Sequence, residues 1–181
     1  MPEKKDEVVK SPFKVFVTSP RRMLYAIAFF LVFALTSSEL GLVSQQLHNG
    51  GNNYANYPGM EYKHALGLLL FSCVFTYLYL IGHLYVSGVG LITFFTFVGA
   101  VFWGTGAGVI FQVSPFRSYN CGNPADSFSP NWARFANQCS RIVSIQGIAW
   151  ANWGLFVFLF FGMLIHKLEI KARPNVTFYG P

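Results

Sequence analysis

Four long apolar stretches take up most of this 181-residue chain, and they decide what it can fold into. They cover residues 23–43, 65–85, 91–113 and 142–165, each close to the roughly 20 residues that cross a hydrocarbon core. In lipid a backbone N–H or C=O finds no water, so each stretch must pair its own backbone groups and become a helix. A soluble bundle would show polar faces at helical spacing, and the run LLLFSCVFTYLYLIG has none. The expected fold class is an all-α membrane protein, a four-transmembrane-helix bundle.

Composition agrees. Hydrophobic residues make up 53% of the chain and charged residues 11%, and nearly all the charge falls outside the apolar stretches. The expected organisation is a basic cytosolic arm over residues 1–22, a four-span domain over 23–166 and a cytosolic tail over 167–181, with no separate soluble domain. The first apolar run is too long for a cleaved signal peptide and lacks a small-x-small cleavage site, so it is expected to insert as a signal anchor.

Orientation follows from the basic residues. The arm carries Lys4, Lys5, Lys10, Lys14, Arg21 and Arg22, and the tail carries Lys167, Lys171 and Arg173. With four spans these ends share a side. The opposite loops hold Lys63, Arg117, Arg134 and Arg141, and residues 86–90 between spans two and three carry no charge. The positive-inside rule then places both termini in the cytosol. The net charge of +6 reads first as this topology signal, and second as a draw on anionic headgroups.

The first outer loop, residues 44–63, contains HNGGNNYANYPG and is expected to be a flexible cap rich in turns. The second, residues 114–141, contains Cys121 and Cys139. Two cysteines facing an oxidising compartment read as a disulfide, with free thiols as the alternative; a zinc site lacks further ligands in that loop. The bridge would close a loop of about 19 residues, contributing on the order of 3 kcal/mol in the chain-entropy model. Cys73 falls midway along the second span and reads as a small core residue. The sequon at Asn175 lies in the expected cytosolic tail, where it would not be glycosylated.

Within the spans, Ala100, Gly104 and Gly108 recur every four residues, and Gly147, Ala151 and Gly154 form a comparable series. Such ridges let helices approach closely. Packing of spans three and four against each other is the favoured reading, with self-association as the alternative. Glu39 is the only acidic residue in the spans. It is expected near the outer boundary, paired with Arg141 or hydrogen-bonded to Gln146, although an intramembrane carboxylate is by its nature a functional candidate. Asn152 lies deeper and is expected to bridge helices. Trp103, Trp150 and Trp153 are expected to fill gaps opposite the ridges or to meet lipid.

No catalytic constellation emerges. His48, His64, His83 and His166 are scattered, and there is no paired carboxylate, no nucleophile with a nearby base and no phosphate-binding loop. No metal site, cofactor or nucleic-acid partner is expected, and the chain is not expected to be an enzyme. Transport has little support, because the spans contain no proline and no midplane ion ligands are evident.

The turn LTSSELGLVSQQLHN and the run GTGAGVIF…YNCG…NQCSR…GIAWANWGLFVF, together with four spans and cytosolic ends, resemble the fungal MARVEL-domain proteins, in particular the non-classical export protein group. The resemblance covers roughly residues 20–171. Its most specific part is a small-residue third span leading into a loop with two cysteines, the second followed closely by a basic residue. Claudin-like proteins instead place paired cysteines in the first outer loop. The long first outer loop and the basic arm depart from the family pattern. The resemblance implies a plasma-membrane organiser of lipid and protein, sensitive to lipids such as sterol or sphingolipid, and carries over no catalytic residue. Two other readings remain beside it: an accessory subunit holding a larger membrane partner, and a small channel if the Gly104–Gly108 face lines a pore.

Overall fold

The computed structural model describes residues 20–85 and 88–172, and the basic residues 1–19 and the sequon-bearing tail 173–181 lie outside them. Four long helices dominate: α1 (Pro20–Gly50), α2 (Met60–Tyr85), α3 (Val89–Val113) and α4 (Cys139–Ala172). There is no strand among the described residues. All four are long and apolar enough to cross a membrane. They pack as a ring in chain order, each against its sequence neighbours, and α4 closes on α1. This is the up-down topology that short connections favour.

The helices outrun the apolar stretches. α1 continues seven residues past position 43, about 10 Å at the usual rise, and α4 reaches Ala172, inside the stretch expected as tail. The extensions are polar or amphipathic, so apolar length alone underestimated them.

They also change the first outer loop. The expected flexible cap of twenty residues shrinks to the segment between Gly50 and Met60, which contains a single 3-10 turn, Tyr54–Asn56. Tyr57 is buried there, and its hydroxyl donates to the Leu47 and Gly51 carbonyls at 3.2 and 2.9 Å. Burial pushes this phenol above its ordinary pKa, so it remains a donor. A Cβ on Gly50 would collide with the Tyr57 ring, which explains a glycine at that close approach. Arg134, from the second loop, donates to the Ala55 and Tyr57 carbonyls at 2.7 and 3.1 Å. The two loops thus form one cap.

The second loop is built around an aromatic cluster. Phe116 is fully buried, with Phe128 and Trp132 at ring distances of 4.9 and 5.3 Å, and Tyr62 of α2 meets Trp132 at 5.3 Å. Arg117 lies over the Phe111 ring at 3.9 Å and donates to the Phe111, Ser114 and Phe116 carbonyls, which satisfies an orphan carbonyl near the end of α3. Cys121 and Cys139 are joined, with Cα atoms 5.4 Å apart. The outer loop between the third and fourth long helices is therefore disulfide-closed, and the bridge anchors the first residue of α4.

Spans three and four share the most extensive contact in the bundle, and the expected ridges enter it only in part. The close approaches of α3 to α4 are at Gly99, where a Cβ would collide with Phe156, and at Gly104, where it would stand 2.7 Å from Trp153 Cδ1, while Gly106 faces α2, with Leu69 Cδ2 2.6 Å from an added Cβ. Ala100 is buried, yet a Cβ on Gly108 would meet nothing within 4 Å. The reason is helical pitch: four residues turn a helix about 400°, so a strict four-residue series drifts about 40° per step off any fixed face. In α4, Gly147, Ala151 and Gly154 are all exposed and face away from the core. Trp153 fills the space beside Gly104 as expected, and Trp150 packs on it at 5.3 Å.

Candidate functional site

The inward face of α1 reads Val32, Thr36, Glu39, Val43, Gln46, at alternating spacings of three and four, and all five are buried. That spacing is the core stripe of a helix, here with three polar members. The buried stripe of α4 includes Ile142, Ile145, Gln146, Ala149, Asn152 and Phe156. A hydrogen bond sets the vertical register: Gln46 Nε2 donates to Gln138 Oε1 at 2.9 Å, at the outer end. Counting down both antiparallel helices from that contact puts Glu39 level with Ile145–Gln146 and Thr36 near Ile148. Asn152 lies about one turn deeper.

Side-chain direction narrows the gap. Helical side chains lean toward their own N-terminus. For α1 that is the end away from the disulfide-closed cap, and for α4 it is the cap end, so Glu39 leans away from the cap and Asn152 leans toward it. The buried polar residues of α1 and α4 are thus spread over about 10 Å along the bundle, with Glu39 about 16 Å below the end of α1.

The two sides of the bundle differ. On the α2–α3 side several core polar groups are paired, although the Tyr62 hydroxyl has no hydrogen-bond partner. Trp103 Nε1 donates to Thr76 Oγ1 at 3.0 Å, and Thr76 in turn donates to the Ser72 carbonyl. Farther down, the Tyr79 and Thr96 hydroxyls meet at 2.9 Å. On the α1–α4 side Thr36 Oγ1, both Glu39 oxygens, both Asn152 amide atoms and Gln146 Nε2 are buried with no hydrogen-bond partner.

Glu39 is 0% exposed, on a helix that runs on to Gly50, and it makes neither the Arg141 pair nor the Gln146 hydrogen bond that the sequence suggested. Asn152, expected to bridge helices, is buried and makes no such bond. Thr36 went unnoticed, although its place three residues before Glu39 on one helical face was a readable signal. Tyr62 was missed too, because its burial depends on the cap. Cys73 is free and fully buried, as a core residue should be.

No group of three or more His, Cys, Asp or Glu side chains that could hold a metal ion occurs among the described residues. Gly104 lies against the Trp153 indole, so within one chain that face fronts no lumen.

No family model, curated protein or solved structure matches the chain. The resemblance to the fungal MARVEL-domain proteins thus rests on the sequence motifs alone.

Proposed function

We propose that this chain is a non-enzymatic, multi-pass membrane protein that organises its neighbours laterally through outward helix faces and lipid contact, in the manner the MARVEL-like motifs imply. The observation that carries the reading is the outer face of α4. Gly147 and Gly154 have nothing within 4 Å of an added Cβ, and Ala151 between them is exposed. A small-residue ridge left unused inside the chain is suited to a second helix, which favours self-association over the packing role that the sequence suggested for it. No span is more than 39% buried within the chain, so lipid or protein covers the rest.

The test is assembly. Gly147→Leu and Gly154→Leu should leave the monomer folded and reduce cross-linked oligomers or clusters in membranes. Unchanged assembly in the double variant sinks the reading. A stoichiometric larger protein recovered by native mass spectrometry from mild detergent would favour the accessory-subunit reading instead. Plasma-membrane residence with cytosolic termini belongs to the same proposal. Tags at either end should resist protease added outside intact cells, and cleavage of either would overturn that orientation.

A further inference from the structure

We propose that a groove between α2 and α3, at the end of the bundle away from the cap, holds one acyl chain of an anionic phospholipid. The proposal rests on the membrane placement of the helices and not on the assembly reading, which concerns the outer face of α4.

A cavity of about 330 Å³ opens there, walled by Leu78, Gly82 and His83 of α2 and by Leu91, Ile92 and Phe95 of α3. A dry cavity of about 150 Å³ already takes up a benzene ring, so this one has room for a length of hydrocarbon chain. Little on its walls would hold water. The Tyr79 hydroxyl, also on the wall, is bonded to Thr96 at 2.9 Å, and the His83 ring lies edge-on to Phe29 of α1 at 4.6 Å. Leu78, Leu91 and Phe95 are exposed, so the groove opens outward between two helices long and apolar enough to cross a membrane. Those bulky rims suit a thin chain better than a second helix, which approaches over small residues. Gly82 keeps the groove open. Glycine inside a helix costs stability relative to alanine, and no close approach demands it here, because an added Cβ would meet nothing within 4 Å.

Charge at the same end selects the headgroup. Thr96 of α3 meets Met163 of α4, which puts Lys167, four residues on, near the level of Ile92, and Lys171 near that of Gly88. On α1, Arg21 and Arg22 lie about two turns past Phe29, beyond the end of α2. Glu169 is the one acid on these helix ends. The two helices that flank the walls thus bring four basic residues to the level where a chain in the groove would leave it, and such basic sites between membrane helices favour anionic headgroups. α3 starts there after Gly88, which has no side chain to cap it, so its first amide groups also favour a phosphate.

The experiment uses the full chain as monomer in mild detergent. Phosphatidylglycerol is titrated while native mass spectrometry counts bound lipid, with phosphatidylcholine of the same chains as comparison. The expected result is one saturable phosphatidylglycerol per chain, with phosphatidylcholine about fivefold weaker or more, the effect of one basic residue at an anionic surface. Gly82→Leu fills the groove and should abolish that lipid. Gly67→Leu, also open on α2 but about 22 Å away along the helix, should keep it. Folding of both is checked by the Cys121–Cys139 linkage and monodisperse elution. On the unaltered protein, phosphatidylglycerol with a chain-borne diazirine should label residues 75–95, and unlabelled lipid should compete. Gly147→Leu and Gly154→Leu should keep the lipid, so this proposal and the assembly reading fail separately. Absence of a saturable lipid overturns the proposal, as does equal retention of phosphatidylcholine. Labelling that unlabelled lipid does not compete, or lipid retained by folded Gly82→Leu, overturns it too.

Discussion

At the outer end of the bundle Arg134 donates to two carbonyls of the opposite loop, Tyr57 to two more, and Cys121 is bonded to Cys139. Three turns deeper, Glu39 and Asn152 present four side-chain atoms with no partner at all. The cap, beside water, pairs its polar groups although water would have served them. The interior, where an unpaired polar group costs most, leaves them open. Stability is therefore concentrated at the cap, and the residues with unspent chemistry lie in the bundle between α1 and α4. An intramembrane carboxylate in that position is a functional candidate first and a structural one second.

The contrast can be broken most forcefully at the disulfide. Cys139→Ser should destabilise the chain by about 2–5 kcal/mol, the usual loss for a native bridge in a small domain. Thermal unfolding in detergent would measure it, after non-reducing peptide mapping has confirmed the Cys121–Cys139 link. A loss below that range would mean the aromatic cluster of Phe116, Phe128 and Trp132 holds the cap without it.

Next in size is a comparison of two glycines on α3. Gly106→Leu forces a side chain against Leu69 and should cost about 1–3 kcal/mol by overpacking. Gly108→Leu has open space and should leave monomer stability nearly unchanged. Equal destabilisation of both would show that the helix is rotated from the orientation described.

A smaller effect is expected at the link between the loops. Arg134→Ala removes two partly exposed hydrogen bonds and should lower stability by about 1 kcal/mol. Faster protease cleavage in residues 51–59 would report the loosened segment. The smallest change is expected for Glu39→Gln. Replacing an unpaired buried carboxylate by its neutral isostere should leave the melting temperature unchanged or raise it slightly. A marked drop would mean the carboxylate has a partner within the chain.

Sequence and structure divide the explanation unevenly. Four helices, their crossing of the membrane and the linkage of Cys121 to Cys139 were legible, because apolar length and cysteine placement act locally and need no knowledge of neighbours. The extension of α1 to Gly50 was not legible from hydropathy, since residues 44–50 are polar and are held by Tyr57 and by Gln138 from a distant loop. The ridges were visible as spacing, but their direction was not. Whether Gly104 or Gly108 meets a neighbour depends on how far α3 is rotated, and that rotation is set by Trp103, Phe156 and Leu69 together. Glu39 could be named from composition alone as the one acid in the spans. Its depth and its lack of a partner were decided by tertiary structure, because they depend on the register of α1 against α4, fixed by side chains 92 positions apart in the chain.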